Sequence, residues 1–94
     1  MERVQATSKS RPSVPVAVYG TKGCADTQKV RRYLDRLDIF YDYLNIDEEL
    51  SAARQVQWWT GGSLSHPTVR IGGRILVEPG LEEVEATLAG FNII

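Results

Sequence analysis

The chain has 94 residues, enough for one domain with a single hydrophobic core and too few for two. Its 11 basic and 12 acidic residues nearly cancel, so the charge balance gives no argument for binding to nucleic acid or to an acidic membrane surface. One cysteine and one histidine exclude an internal disulfide and are too few ligands for a zinc site. A lone free thiol is typical of a reducing compartment, and no apolar run is long enough to span a membrane, so we expect a cytoplasmic protein.

The first part of the chain predicts a tail, a strand and a helix. Residues 1–13 are polar and aperiodic, so we expect a flexible tail ahead of a folded domain that spans residues 14–94. Residues 14–19 are apolar on both faces, as in a strand in the middle of a covered sheet. A loop bracketed by Gly20 and Gly23 follows. Beyond it, an apolar stripe with the spacing i, i+3, i+4, i+7 predicts the first helix and consists of Val30, Tyr33, Leu34 and Leu37.

The middle of the chain predicts a second strand and a second helix. Residues 40–46 are rich in aromatic and β-branched types and predict the strand. We expect Asp47 or a neighbour to cap the helix, with acidic residues in the first turn. The helix continues to Trp58 and Trp59, at least one of which belongs in the core, and ends at residues 60–62.

The last part predicts a hairpin and a final helix. Residues 68–71 and 74–77 are short strands, and Gly72 and Gly73 between them form a two-residue hairpin turn. The final helix ends at Gly90 and has an apolar stripe of Leu81, Val84 and Leu88.

The resulting order is β-α-β-α-β-β-α, which places the chain in the α/β class. The two strand–helix–strand units predict parallel pairing through helical crossovers, and the hairpin predicts an antiparallel edge. We therefore expect a four-stranded mixed sheet flanked by three helices.

The only cysteine, Cys24, lies where the loop after the first strand meets the first helix. A helix N-terminus offers free backbone N–H groups and the positive end of the helix dipole, and both favour thiolate over thiol. We expect the N–H groups of residues 25–27 to stabilise the thiolate and Lys22 to add a positive charge, whereas the carboxylate of Asp26 opposes ionisation by like-charge repulsion. A buried, inert cysteine is the alternative, and a position directly after Gly23 disfavours it.

This order of elements, with a thiol at the first strand–helix junction, resembles the thioredoxin-like fold, and within it the chain resembles the glutaredoxins from about residue 16 to residue 88. Residues 19–27, Tyr-Gly-Thr-Lys-Gly-Cys-Ala-Asp-Thr, stand at the place of the family's Tyr-x-x-x-x-Cys-x-x-Cys/Ser motif. Residues 66–69, His-Pro-Thr-Val, stand at the place of its Val-Pro-Thr/Gln-Val segment. Residues 75–79, followed by a helix, are more similar to the mycoredoxin and actinobacterial glutaredoxin-like branch with Cys-Pro-Asp-Thr centres.

The resemblance implies a substrate and small-thiol site beside Cys24. It implies a cis peptide bond before Pro67, which turns the backbone of His66 toward solvent, where it pairs with a substrate backbone like an added strand. It also implies that Tyr19 and Thr68 belong to this site. His66 near the sulfur would favour the thiolate when protonated and donate a hydrogen bond when neutral, and a structural or solvent-exposed role is the alternative.

Thr27 stands where dithiol members of the family have a second cysteine, so the resemblance implies a monothiol reaction. Cys24 takes a low-molecular-weight thiol from a mixed disulfide, and a second molecule of that thiol resolves it. Thr27 either reaches the sulfur through its hydroxyl or caps the helix, and Asp26 either handles the proton of the leaving thiol or only suits the helix N-terminus. Residues 77–80 replace the Gly-Gly-x-Asp segment that holds glutathione, which favours mycothiol as the co-substrate and leaves glutathione as the alternative.

The sequence therefore predicts a glutaredoxin-like monothiol thiol–disulfide oxidoreductase that acts in redox homeostasis and electron transfer. Its expected partners are protein mixed disulfides, the small thiol and a thiol reductase system. We expect a monomer with no tightly bound cofactor and no metal, nucleic-acid or membrane partner. One alternative is an iron–sulfur carrier with a [2Fe–2S] cluster bridged between two chains, although such proteins typically have Cys-Gly-Phe-Ser where this chain places the charge of Asp26. The other is a non-catalytic binding module that docks through the edge at His66 and Pro67.

Overall fold

The computed structural model describes residues 11–94, which form one four-stranded mixed sheet with three helices. The strands are β1 (Val16–Gly20), β2 (Asp42–Asn45), β3 (Thr68–Ile71) and β4 (Arg74–Val77). The helices are α1 (Ala25–Arg36), α2 (Leu50–Thr60) and α3 (Leu81–Gly90). The predicted order of elements and the thioredoxin-like fold are confirmed. Within the described part of the chain, no helix has the length and apolar character that crossing a bilayer requires.

Side chains alternate along β1, so the two faces of the sheet carry two different cores. Val16 and Val18 pack on the face that α1 and α3 cover. Ala17 and Tyr19 pack on the face that α2 covers. All of β1 is buried, because β2 and β3 flank its edges and the helices cover both of its faces, as predicted for a central covered strand.

The direction of β3 differs from the prediction. β2 is parallel to β1, as the crossover through α1 predicts, but β3 is antiparallel to β1. The pairing of the strands explains the difference. Gly20, the last residue of β1, lies opposite Asn45, the last residue of β2, and the neighbouring Tyr19 lies opposite Thr68, the first residue of β3. The chain therefore leaves β2 and enters β3 at the same end of the sheet. The connection through α2 and residues 61–67 makes this return, and the hydrophobic pattern of α2 carries no information about it.

The start of α2 also differs from the prediction, and a turn that precedes the helix is the cause. The N–H groups of Glu48 and Glu49 donate to the Asn45 carbonyl at 3.1 and 3.0 Å, and the N–H of Asp47 donates to Asn45 Oδ1 at 2.9 Å. The turn delays the helix, so its N-cap is Glu49 and its first residue is Leu50. The predicted acidic residues therefore precede the first turn of α2 rather than lying in it.

The two N-terminal strands are shorter than predicted. β1 begins at Val16, and β2 comprises Asp42–Asn45 only. Ahead of β1, the guanidinium of Arg11 lies 4.3 Å from the centre of the Phe40 ring. The predicted tail, residues 1–13, falls mostly on residues 1–10, which lie outside the described residues, so it stays a prediction.

Glycines end α2 and form the hairpin turn at the predicted places. Gly61 follows α2 in the left-handed conformation, with φ = 79°. Gly72 has φ = 59° and connects the antiparallel strands β3 and β4. A Cβ atom at Gly72 would also lie 3.0 Å from the ring of Phe91, so both backbone conformation and packing require glycine there.

Candidate active site

Cys24 is the N-cap residue of α1, at the end of the loop that follows β1. Its backbone is extended, and its carbonyl accepts a hydrogen bond from the N–H of Gln28 at 3.1 Å. Its own N–H donates to the Thr21 carbonyl at 3.3 Å. The side chain is half-buried. The thiol therefore lies at the predicted junction, at a helix N-terminus and in reach of solvent.

The surroundings of Cys24 lower the pKa of its thiol from 9.0 to about 7. Burial is the largest single influence and raises the pKa, because it penalises the charged form. Hydrogen bonds outweigh it, and they come from the side chain and the N–H of Thr27, the side chain of His66 and the N–H of Asp26. The thiolate, which is the nucleophilic form, is therefore abundant at neutral pH.

Thr27 lies in the first turn of α1 and is fully buried. It packs against Gly20 so closely that a Cβ atom at Gly20 would overlap Cγ2 and Oγ1 of Thr27. The Thr27 hydroxyl has no hydrogen-bond partner among the described residues. A thiolate gives this hydroxyl an acceptor, which accounts for the lowering of the Cys24 pKa by the Thr27 side chain.

The loop before β3 brings His66 to Cys24. The His66–Pro67 peptide bond is cis, as the resemblance implies. Cys24 Sγ lies 3.9 Å from the carbonyl oxygen of His66, to which the thiol donates a weak hydrogen bond. His66 is exposed, and hydrogen bonding from its side chain lowers the pKa of Cys24. The two sequence motifs thus meet at the sulfur.

Tyr19 and Thr68 are paired across β1 and β3, at the end of the sheet where this loop lies. Thr68 is fully buried, and its hydroxyl donates to the Ser65 carbonyl at 2.9 Å, which ties β3 to the loop that carries His66. Tyr19 is only 9% exposed and packs edge-to-face on Trp59, with ring centroids 5.2 Å apart. Burial raises the pKa of Tyr19. Both residues therefore support the site from within the fold, and their contact with a small thiol stays a prediction.

The two charged residues predicted beside Cys24 are exposed. Lys22 lies on the loop, and the side chain of Asp26 is 73% exposed and 3.9 Å from the ammonium of Lys29. Asp26 acts on Cys24 through its backbone N–H, which lowers the thiol pKa, the opposite of the effect expected of its carboxylate.

A groove lies between the start of α1 and the segment that departs from the glutaredoxin pattern. Its volume is about 380 Å³, and its charged lining residues are Asp26, Lys29, Glu78 and Glu82. Glu78 has φ = 51°, and its N–H donates to the Pro67 carbonyl at 2.8 Å, which joins this segment to the loop of His66. Three carboxylates against one ammonium make the groove negative.

Of two residues of α1 that the sequence patterns did not single out, Gln28 contacts the loop before Cys24 and Arg31 contacts Gln28. Gln28 Nε2 donates to the carbonyls of Thr21 at 3.3 Å and Lys22 at 3.2 Å. Arg31 Nη1 donates to Gln28 Oε1 at 3.4 Å. The one available signal is spacing, because Gln28 follows Cys24 by one helical turn and so lies on the same side of α1.

Solved structures share this architecture. The thioredoxin-like protein BC3987 has 20% sequence identity and a TM-score of 0.69, with 76% of this chain and 96% of that chain covered. A glutaredoxin from Methanosarcina mazei Go1 has 27% identity and a TM-score of 0.70, with 80% and 78% covered. A buckwheat glutaredoxin, solved in complex with glutathione, has 22% identity and a TM-score of 0.65, with 84% and 76% covered. These similarities show a thioredoxin-like fold, and in this chain Cys24 lies at the start of the first helix.

Residues 16–76 match the Glutaredoxin family model, so the chain belongs to the glutaredoxin family. The matched span contains Cys24, Thr27, His66 and Pro67. No curated protein sequence is similar enough to match the chain. Family and fold together support a thiol–disulfide oxidoreductase function.

Proposed function

We propose that this chain is a monothiol oxidoreductase that reduces mixed disulfides between proteins and a low-molecular-weight thiol, with Cys24 as the nucleophile. The observation that carries the proposal is the environment of Cys24, whose thiol pKa falls to about 7 at the N-terminus of α1. Cys24 is also the only cysteine in the chain, so the second thiol of the reaction has to come from another molecule.

In the first step, the Cys24 thiolate attacks the sulfur of the small thiol within a mixed disulfide. A disulfide forms between Cys24 and the small thiol, the original disulfide breaks, and the protein sulfur leaves as a thiolate that takes a proton from solvent. The N–H groups of Asp26 and Thr27, together with the Thr27 hydroxyl, hold the attacking thiolate beforehand. The exposed backbone at His66 is the expected docking strand for the protein substrate.

In the second step, the thiolate of another small-thiol molecule attacks the small-thiol sulfur bound to Cys24. A symmetrical small-thiol disulfide forms and Cys24 leaves as a thiolate, with no net change in the chain. The low pKa of Cys24 makes it a good leaving group here, because thiols of lower pKa leave faster. A reductase for that small thiol then regenerates the co-substrate.

The charge of the groove supports mycothiol over glutathione. Glutathione carries two carboxylates and one ammonium and so has a net negative charge, whereas mycothiol is a sugar-based thiol without a carboxylate. A groove lined by Asp26, Glu78 and Glu82 repels the first more than the second. The Glu82→Gln substitution removes one exposed charge and should raise kcat/KM for a glutathione mixed disulfide about two- to five-fold, with little change for a mycothiol mixed disulfide.

The lone thiol supports a reducing compartment, so cytoplasm is the proposed location of this activity. The proposed partners are a protein mixed disulfide, the small thiol and its reductase. We propose that this chain acts on them as a monomer.

Turnover of a peptide carrying either mycothiol or glutathione on a cysteine tests the proposed function. Each peptide is assayed with the matching thiol, its reductase and NADPH, and the protein is compared with its Cys24→Ser variant. We expect turnover that depends on Cys24 and is faster with mycothiol. If neither peptide reacts faster than with Cys24→Ser, the proposed function is wrong.

A further inference from the structure

The loop that precedes Cys24 is tied to α1 by one side chain. Residues 21–23 connect β1 to α1, and Gly23 in this loop is exposed, with no atom near the position of a Cβ. The Gln28 amide donates to the carbonyls of Thr21 and Lys22 at 3.3 and 3.2 Å. The backbone N–H of Gln28 donates to the Cys24 carbonyl at 3.1 Å. Gln28 therefore contacts the loop on both sides of Gly23.

The amide of Gln28 is oriented by a second side chain. Arg31 Nη1 donates to Gln28 Oε1 at 3.4 Å, so the amide oxygen faces the guanidinium and the amide nitrogen faces the loop. Arg31 is itself held by β2 and the residue before it, because its guanidinium lies 3.8 Å from the centre of the Tyr43 ring and its Nε donates to the Tyr41 hydroxyl at 3.4 Å. A continuous series of contacts thus joins the sheet edge to the loop of Cys24.

The direction in which the loop carbonyls point affects the stability of the Cys24 thiolate. The Thr21 carbonyl accepts hydrogen bonds from both Gln28 and the N–H of Cys24, so its oxygen is turned toward α1. Without the Gln28 amide, the carbonyls of Thr21 and Lys22 gain freedom to rotate, since the loop has little packing at Gly23. A carbonyl oxygen that turns toward a thiolate repels it, and a displaced loop also moves Cys24 away from the donors of α1.

We propose that Gln28, oriented by Arg31, is a positioning residue that holds the loop before Cys24 and so keeps the thiol in its reactive geometry. Gln28 does not contact the reacting sulfur and acts through the loop. The inference rests on the proposed role of Cys24 as a nucleophile, but it predicts a property of the thiol that is measurable without any substrate.

The test is the pH profile of Cys24 alkylation by iodoacetamide in the full chain. Gln28→Met keeps the length of the side chain and removes both donors, and Arg32→Met is the matched control because Arg32 is an exposed residue of the same helix. Lys22, Asp26, His66 and Glu78, the charged or titratable groups on the segments around the sulfur, stay unchanged in both variants. We expect Gln28→Met to shift the midpoint of the profile upward and to slow alkylation at pH 7 at least three-fold, with Arg32→Met like the original chain.

Three further variants separate positioning from a general loss of structure. Arg31→Met should shift the profile in the same direction by less, and the double variant should shift it no further than Gln28→Met alone, because both residues act through one series of contacts. Gln28→Glu retains the length and the contact with Arg31 but cannot donate, and its carboxylate also repels the thiolate, so it should slow alkylation at least as much as Gln28→Met. Thermal unfolding checks that each variant is folded.

The alkylation profiles of these variants either support or overturn the positioning role of Gln28. An unchanged profile in folded Gln28→Met or Gln28→Glu, or an equal shift in Arg32→Met, would overturn the inference while leaving the proposed function intact. An upward shift in a chain that shows no turnover with either small thiol would support the positioning role and count against the proposed function alone.

Discussion

At the level of single residues, Thr27 has a buried hydroxyl without a hydrogen-bond partner among the described residues. Thr27→Val replaces this hydroxyl with a methyl group of similar size. Below about pH 6, where Cys24 is protonated, the free energy of unfolding should stay the same or rise slightly, because an unpaired buried polar group is lost. The pKa of Cys24 should rise, because hydrogen bonding from the Thr27 side chain lowers it. A hydrogen bond to a charged group contributes about 1.5–3 kcal/mol, so the thiolate fraction at pH 7 should fall roughly five-fold or more.

Iodoacetamide alkylation across a range of pH and urea unfolding of the same samples measure the two effects of Thr27→Val. Thr87→Val is a suitable control, because Thr87 is also buried but its hydroxyl donates to the Glu83 carbonyl at 2.8 Å, far along the chain from Cys24. The control should lose stability and keep the original alkylation profile. An unchanged profile in Thr27→Val would show that the hydroxyl does not act on the sulfur.

Gly20 is the residue that makes room for Thr27. In Gly20→Ala the new Cβ atom would overlap Cγ2 and Oγ1 of Thr27, so either β1 or the first turn of α1 has to move. Forcing an extra methyl group into such a site costs about 1–3 kcal/mol of stability. The pKa of Cys24 should rise together with this loss, because the Thr27 donors are displaced from the sulfur.

Gly73→Ala is the matched control for Gly20→Ala, since nothing lies close to a Cβ atom at Gly73. Urea unfolding should show a loss for Gly20→Ala that is larger than for Gly73→Ala by at least 1 kcal/mol. Equal losses in the two variants would mean that Gly20 and Thr27 are not in tight contact.

At the level of elements, α2 carries two adjacent tryptophans with opposite environments. Trp59 packs on the core beneath α2 and against the ring of Tyr19, whereas Trp58 is 81% exposed. Trp59→Ala should lower the free energy of unfolding by roughly 2 kcal/mol, because it removes an aromatic contact and part of a core side chain. Trp58→Ala should change it by about 0.5 kcal/mol or less. Denaturant unfolding of the pair measures both, and a larger loss for Trp58→Ala would contradict the packing of α2.

The elements that the sequence predicted well are those encoded by local signals. The glycine that ends α2 and the hairpin at Gly72 depend on neighbouring residues and lie where predicted. The stripe of α1 does so for Val30, Tyr33 and Leu34, whereas Leu37 caps the end of the helix and is exposed. The start of α2 depends on the side chain and carbonyl of Asn45, which capture three N–H groups of the following turn. The direction of β3 depends on which end of the sheet the chain returns to. Neither the start of α2 nor the direction of β3 leaves a periodic pattern in the sequence.

At the level of the whole molecule, the site combines residues from two distant segments. Cys24 could be singled out from its place at a strand–helix junction, and His66 followed from the family resemblance, yet only the fold places their atoms 3.9 Å apart over a separation of 42 residues. Gln28 could not be predicted, because the use of its amide depends on the path of the loop and on Arg31. The sequence therefore predicts Cys24 and its neighbours Thr27 and His66, and the structure adds the contacts of Gln28 and Arg31.

The ionisation of Cys24 links the stability of the whole fold to pH. The folded thiol has a pKa of about 7, below the ordinary value of 9.0 that applies to the unfolded chain. Between these two pKa values the unfolded state binds more protons than the folded state, so the free energy of unfolding should rise with pH. Above about pH 9 the contribution is fully present, and it is lost as the pH falls through about 7. The raised pKa values of Tyr19 and Tyr33 act above pH 10, outside this window.

Urea unfolding of the original chain and of Cys24→Ser, under a reducing agent and at several pH values from 6 to 9.5, measures this contribution. The difference in unfolding free energy between the two proteins should be constant below about pH 6.5 and grow in favour of the original chain between about pH 7 and 9. Subtracting the serine variant removes every other titrating group, since serine does not ionise in this range. The gain should be modest, because the half-buried sulfur is partly screened by solvent. A difference that stays flat across this range, or that falls as the pH rises, would mean that the folded chain does not favour the thiolate, and the nucleophile proposed for the reaction would lose its physical basis.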